Sequence, residues 1–194
     1  MNVPSVEELS VSEEEIQKWV ATARQGDEES YRRVMRHFAG RLQALLYRLL
    51  LDWEEARDVA QETFIQAWRA LPRYRPEGKF QSWLFQIGAR KALDLLRRRA
   101  RSPLASDPGG ALYEVSIGQH GAEDRGVARN EAISALEKAV GELPAKERAA
   151  FVLSEYEGCS HREIARIVGG SAKRVEMQVY RARQQLREKL RAFL

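Results

Sequence analysis

Apolar residues return every three or four positions through nearly the whole chain, and nowhere do they alternate with polar ones over the length of a strand. That periodicity predicts an all-α fold. Tyr31, Val34, Phe38, Leu42, Leu45, Leu46 and Leu49 stripe one helix from about Glu28 through Leu51. Ala56, Val59, Ala60, Thr63, Phe64, Ala67, Trp68 and Leu71 form the core-facing stripe of the next, which Pro72 closes. An earlier helix runs from about Glu13 to Gln25 and ends at Gly26, a residue suited to a helix C-cap.

One stretch breaks the pattern. Between Arg101 and about Gly126, two prolines and a series of glycines interrupt every apolar period. The chain therefore divides into an N-terminal tail (1–12), a helical domain (13–101), a flexible linker (102–126) and a second helical domain (127–194). The linker holds Leu104, Leu112, Tyr113, Val115 and Ile117, too many apolar residues for a purely solvated tether, and is expected to settle in a groove on a partner. Domains this small bury only around 60% of their surface, so help from partners is expected as well.

Composition narrows the function classes. A single cysteine, Cys159, excludes an internal disulfide framework, and three scattered histidines offer no metal-ligand spacing. Cys159 is read first as a small core residue and alternatively as a redox switch. The N-terminus is acidic where a signal peptide would be basic and apolar, and Leu42 to Leu51 is too short to span a bilayer. A cytoplasmic protein without membrane insertion is expected. No serine, cysteine or histidine constellation and no phosphate-cradling glycine loop is present, so neither catalytic residues nor a cofactor or metal is expected.

The net charge of +4 hides an uneven distribution. Arg69 to Arg101 carries ten Lys/Arg against two acidic residues, and Lys173 to Arg191 seven against two. Two basic patches in an otherwise acidic chain imply a polyanion touched at two places; solvated helix faces are the plainer alternative. In the first patch, Pro76 and Gly78 make a loop, and a helix begins at Ser82 or at Lys79 to Gln81 just before it. Tyr74, Phe80, Trp83 and Phe85 interleave there with Arg73, Arg75, Lys79, Arg90 and Lys91. Rings stack on unpaired bases while cations hold phosphates, a combination suited to single-stranded nucleic acid. Trp83 and Leu84, at helical spacing from Ile87, read as core; Tyr74 and Phe80, in or beside the loop, read as stacking platforms.

The second patch ends a helix-turn-helix. Ser160-His-Arg-Glu163 predicts a capping box before a short helix from Arg162 to Val168. Gly169-Gly170-Ser171 then supplies a tight turn and an N-cap, and a longer basic helix buries Val175, Val179, Ala182 and Leu186. Lys173, Arg174, Glu176, Met177 and Gln178 are placed to face a major groove, with Arg181 and Arg183 nearer the phosphates. An antiparallel helix pair with an unused surface is the alternative.

Together the halves resemble an extracytoplasmic-function sigma factor of bacterial RNA polymerase. The strings that carry the likeness are Glu55-Ala-Arg-Asp-Val-Ala-Gln-Glu-Thr-Phe-Ile-Gln-Ala-Trp68, Phe80-Gln-Ser-Trp-Leu84, Ala92-Leu-Asp-Leu-Leu-Arg97, Leu143-Pro, Glu147-Arg, Glu157-Gly-Cys-Ser, Glu163-Ile-Ala and Arg181-Ala-Arg. The resemblance implies that Asp58, Gln61, Glu62 and Ile65 dock on core RNA polymerase. It implies that Arg73, Tyr74, Arg75, Lys79, Phe80, Trp83, Arg90, Lys91, Arg97 and Arg98 bind and melt the minus-10 promoter element. It assigns duplex minus-35 recognition to Ser171, Lys173, Arg174, Glu176, Met177, Gln178, Tyr180, Arg181 and Arg183, and it implies an anti-sigma factor as a further partner. The sequence departs from the family at Arg90, where asparagine is frequent, and at Lys173 to Gln178, where small and threonine residues and a lysine-serine-arginine run are usual. A stand-alone helix-turn-helix regulator would account only for the last 65 residues or so, and a helical protein-binding scaffold for neither basic patch.

Overall fold

A computed structural model of the chain describes residues 11–75, 79–101 and 126–191. Every regular element among them is helical: α1 (Glu13–Ala23), α2 (Glu28–Leu50), α3 (Trp53–Ala70), α4 (Phe80–Arg99), α5 (Gly126–Gly141), α6 (Ala145–Glu155), α7 (His161–Val168) and α8 (Ala172–Lys189), with a 3-10 turn at Leu71–Arg73. The expected linker lies outside the described residues up to the start of α5, as do most of the N-terminal tail and the loop at Pro76 and Gly78.

Local chemistry sets the boundaries. Ser12, Asp27 and Asp52 each accept the backbone N–H three residues on, at 3.2, 2.8 and 3.0 Å, and so start α1, α2 and α3. α1 stops at Ala23, short of the Gln25 its periodicity suggests, and the chain turns through Gly26 at φ 98°. α2 ends at Leu50, and its C-cap Leu51 is the one non-glycine residue with positive φ among the described residues. α4 begins at Phe80, with Lys79 as its N-cap.

α1, α3 and α4 pack around α2. Leu42, Leu45 and Leu46 on α2 are completely buried, and the buried Thr63 satisfies its hydroxyl by donating to the Val59 carbonyl at 2.6 Å. Tyr31 crosses to α3 and donates its hydroxyl to the Phe64 carbonyl. The tightest crossing is at Gly88 of α4, where a Cβ would lie 2.9 Å from Leu42 Cδ1 and 3.3 Å from Thr63 Oγ1. In the second half, α6 and α7 pack on α8 around Val152, Leu153, Ile164, Val175 and Ala182.

The two halves also touch, which the sequence pattern does not indicate: α5 and α6 lie against the C-terminal end of α2, and α7 lies against α4. Arg148 of α6 is buried at this junction. Its Nη1 donates to the carbonyls of Gly141 (2.9 Å) and Leu143 (3.3 Å), and its Nη2 donates to Leu49 at 3.0 Å. The Gly141 and Leu49 carbonyls belong to the C-terminal ends of α5 and α2, where helix dipoles concentrate negative charge, and Leu143 lies just past α5. The guanidinium thus gains electrostatic compensation without a carboxylate. Burial lowers its pKa, yet arginine stays protonated at any ordinary pH.

Gly88→Val should overpack this crossing, with a cost of about 1–3 kcal/mol. Urea unfolding followed by circular dichroism should show a lower midpoint at unchanged slope; an unchanged midpoint would mean that Leu42 and Thr63 make room.

Candidate nucleic-acid interface

The second basic patch is held by an ordered helix-turn-helix. Ser160 and Glu163 close the predicted capping box: the Ser160 N–H donates to Glu163 Oε2 at 2.8 Å, and the Glu163 N–H to Ser160 Oγ at 3.3 Å. Hydrogen bonds from Ser160 to its carboxylate hold the Glu163 pKa below the usual value. Gly169 and Gly170 adopt φ of 83° and 112°, conformations that a Cβ would strain, and Ser171 Oγ accepts the Arg174 N–H at 3.2 Å to start α8. Val175, Val179, Ala182 and Leu186 anchor one face of α8, leaving Lys173, Arg174, Glu176, Met177, Tyr180, Arg181 and Arg183 exposed. Gln178 is half-buried, and its Oε1 is buried without a partner among the described residues.

Charge pairing sorts the cations. Arg183, expected near phosphate, is bound to Glu155 of α6 at 2.7 Å and braces α8 against its own bundle. Lys173 holds Glu176 at 3.2 Å, so this carboxylate is oriented by a lysine on its own face rather than by Arg174. Arg174 and Arg181 have no ion-pair partner among the described residues. They line a groove with Ser171 and with the start of α6 at Pro144, Ala145, Lys146 and Glu147, the last of which accepts a hydrogen bond from Gln185. Lys146 escaped the sequence reading. The signal was the Leu143-Pro144 helix start, since proline opens a first turn whose free N–H groups and dipole already favour an anion.

In the N-terminal half, Asp58, Gln61, Glu62 and Ile65 are all exposed on one face of α3, opposite the buried Val59 and Thr63. Glu62 also pairs with Lys91 of α4 at 2.9 Å, which joins two residues that the sequence assigns to different surfaces. Arg73, Arg75 and Lys79 surround the connection into α4, and Arg90 and Arg98 are exposed along it. Arg97 is engaged twice, with Asp94 at 2.7 Å and with the Val168 carbonyl of α7 at 2.8 Å.

The aromatic platform is placed differently from the expectation. Tyr74 and Phe80 are only 7% and 2% exposed, and Trp83 is the more open ring. The reason is geometric. The 3-10 turn folds Tyr74 back, and α4 starts at Phe80 itself, so that ring points inward with centroids 5.9 Å from Phe38 and 5.4 Å from Tyr74. Trp83 closes the cluster 4.7 Å from Tyr74. Tyr74 and Phe80 are therefore a core support beneath Trp83.

A helix-turn-helix with exposed basic residues, carried beside a bundle with its own basic helix and a separate acidic-apolar face, defines a DNA-binding transcription protein built to hold a protein partner. Residues 34–102 match the model of sigma-70 region 2, and residues 133–186 match that of sigma-70 region 4. The chain is similar to the RNA polymerase sigma-H factor of Pseudomonas aeruginosa, with 30% identity over 189 residues that cover 95% of this chain and 98% of that one. It is 30% identical over 188 residues to the sigma-E factor of Haemophilus influenzae, covering 92% and 96%. Among solved structures it resembles the sigma factor RpoE of Bartonella quintana, crystallised with the anti-sigma factor NepR, at 26% identity, TM-score 0.64, and 84% and 98% coverage. It also resembles CnrH in complex with the cytosolic domain of CnrY, at 26% identity, TM-score 0.60, and 90% and 96% coverage. The chain belongs to the extracytoplasmic-function group of RNA polymerase sigma factors.

Cys159 lies beside this site, half-buried between α6 and α7. Burial, with the Glu163 and Glu157 carboxylates nearby, pushes its thiol up to about 11. The reactive thiolate is thereby scarce at neutral pH, which favours the packing role over the redox switch. Alkylation of the native protein should be about a hundredfold slower at pH 7 than in denaturant, and should rise about tenfold per pH unit up to about 11 while the fold holds. A native rate equal to the denatured one would restore the reactive reading.

Proposed function

We propose that the chain docks on core RNA polymerase through α3, opens the minus-10 promoter element with α4 and reads the minus-35 duplex with α8. In this division residues 13–101 form the docking and melting domain, 102–126 the linker and 127–194 the minus-35 domain. The observation that carries the proposal is the coexistence of two basic surfaces with the exposed Asp58, Gln61, Glu62 and Ile65 face on one chain. A stand-alone regulator has no use for that face. Bond making is left to the polymerase, and the working compartment is the cytoplasm; no described helix is long and apolar enough to cross a membrane. An anti-sigma factor is proposed as a regulator, by analogy with the complexes named for RpoE and CnrH.

On α4, Arg90, Lys91, Arg97 and Arg98 provide phosphate contacts for the separated strand, and Trp83 is the ring open enough to meet an unpaired base. Tyr74 and Phe80 hold that ring in place. On α8, Lys173, Arg174 and Gln178 are in reach of base edges, Met177 and Tyr180 offer apolar surface to a thymine methyl group, and Glu176 can accept from a cytosine amino group. Ser171, Arg181 and Lys146 frame the phosphate groove.

Charge reversal tests the docking face. Asp58→Lys with Glu62→Lys should leave helicity intact and abolish co-elution with core polymerase; unchanged affinity for the core would remove the assignment. Salt titration tests the groove. Arg181→Ala and Lys146→Ala should each weaken duplex binding regardless of sequence and lower the salt slope by about one unit. Arg183→Ala should leave the slope unchanged, because Glu155 already neutralises that cation.

A further inference from the structure

The exposed surface of α8 is divided in two. At about 100° of rotation per residue, Lys173, Glu176, Met177 and Tyr180 fall within one arc of about 100°, and Arg174, Gln178 and Arg181 within the next. The second arc lines the groove with the start of α6, and its two arginines have no ion-pair partner among the described residues. The first arc carries no unspent charge, because Lys173 holds Glu176 at 3.2 Å and the two cancel. Beside that pair, Met177 is 40% exposed and Tyr180 54%, the most open of the large apolar residues described.

Apolar surface next to a neutralised ion pair suits one kind of ligand and not another. A phosphate gains little from it, since the lysine is already engaged and the carboxylate repels an anion. In the major groove of a duplex, the apolar group that base edges offer is the C5 methyl of thymine, and the donor that a carboxylate takes up is the amino group of cytosine. Adenine also presents an amino group, but its N7 acceptor lies beside it and opposes a carboxylate. From Glu176 to Tyr180 the helix rises about 6 Å, and successive base pairs are about 3.4 Å apart, so the arc covers about two base pairs. The arc adjoins the cationic groove, which places it against base edges when the groove holds the backbone.

We infer that α8 reads pyrimidine C5 methyl groups: Glu176 accepts from the amino group of a cytosine, and Met177 and Tyr180 pack on a C5 methyl beside it. That methyl is carried by a neighbouring thymine, or by the cytosine itself when it is methylated at C5, the ring position next to the amino-bearing carbon. The inference rests on the proposed assignment of minus-35 reading to α8 and names its ligand chemistry. Methylation of the promoter at cytosine C5 therefore strengthens binding. Methylation of the amino group weakens it, because the N–H that points into the major groove is lost.

The test changes the DNA before it changes the protein. Duplexes are selected from a randomised minus-35 pool by the full chain bound to core polymerase, and in parallel by the full chain alone at low salt. Both selections should enrich a cytosine with a thymine at an adjacent base pair. Replacing that thymine by deoxyuridine should weaken binding about fourfold, the worth of one buried methyl group. In the deoxyuridine duplex, 5-methylcytosine at the selected position should recover most of the loss, and N4-methylcytosine should weaken binding about tenfold further. Met177→Ala with Tyr180→Ala should erase the difference between thymine and deoxyuridine while keeping the N4-methyl penalty, and Glu176→Ala should do the reverse. Equal binding of the thymine and deoxyuridine duplexes, indifference to N4 methylation, or weaker binding of 5-methylcytosine overturns the inference. A polymerase-bound chain that selects a minus-35 sequence without such a cytosine removes the methyl reading and keeps the α8 assignment. A chain that selects these duplexes alone but never binds core polymerase removes the docking assignment and leaves the methyl reading standing.

Discussion

The structure is built on the burial of one helix. α2 is 23 residues long, and its apolar stripe is wide enough to receive α1, α3 and α4 together. Its last turn then presents carbonyls that no further residue of the helix can satisfy. Leu51 turns the chain away in the left-handed conformation, and the Leu49 carbonyl is taken up by Arg148 from a helix 99 residues further on. One helix thus organises the first half by hydrophobic burial, and its C-terminal end meets the second half through both apolar contact and a hydrogen bond.

Removing α3 or α4 from α2 would expose leucine and phenylalanine side chains to water, a large cost that scales with area. The buried apolar residues of both halves belong to one cluster, so the junction of α2 with α6 carries apolar burial beside the hydrogen bond from Arg148 to the Leu49 carbonyl. Arg148 takes its other two carbonyls, Gly141 and Leu143, from its own half.

Much of this was legible in the chain. The all-α class, the capping box, the glycine turn and the inward face of α8 follow from periodicity and cap chemistry, which are local. What was not legible depends on distant packing. Tyr74 and Phe80 read as exposed because they flank a proline-glycine loop, but a single 3-10 turn and the packing of the first residue of α4 against Phe38 place both rings inside. Arg183 read as a free cation because Glu155 is 28 positions away. Arg148 read as an ordinary residue of a short motif, although a lone arginine preceding Ala149, Ala150, Phe151 and Val152 on a buried helix is the kind of position where a cation must find acceptors.

The close crossing at Gly88 and the ion pair between Lys91 and Glu62 have a mechanical meaning. With no side chain to cushion α4 against Leu42 and Thr63, and with a charge clamp three positions further along, α3 and α4 form a stiff bracket. A bracket transmits orientation. Wherever a partner grips the outer face of α3, the angle of α4 is set with it, so the alignment of the basic helix against a strand is determined by the grip on its neighbour rather than by any hinge of its own.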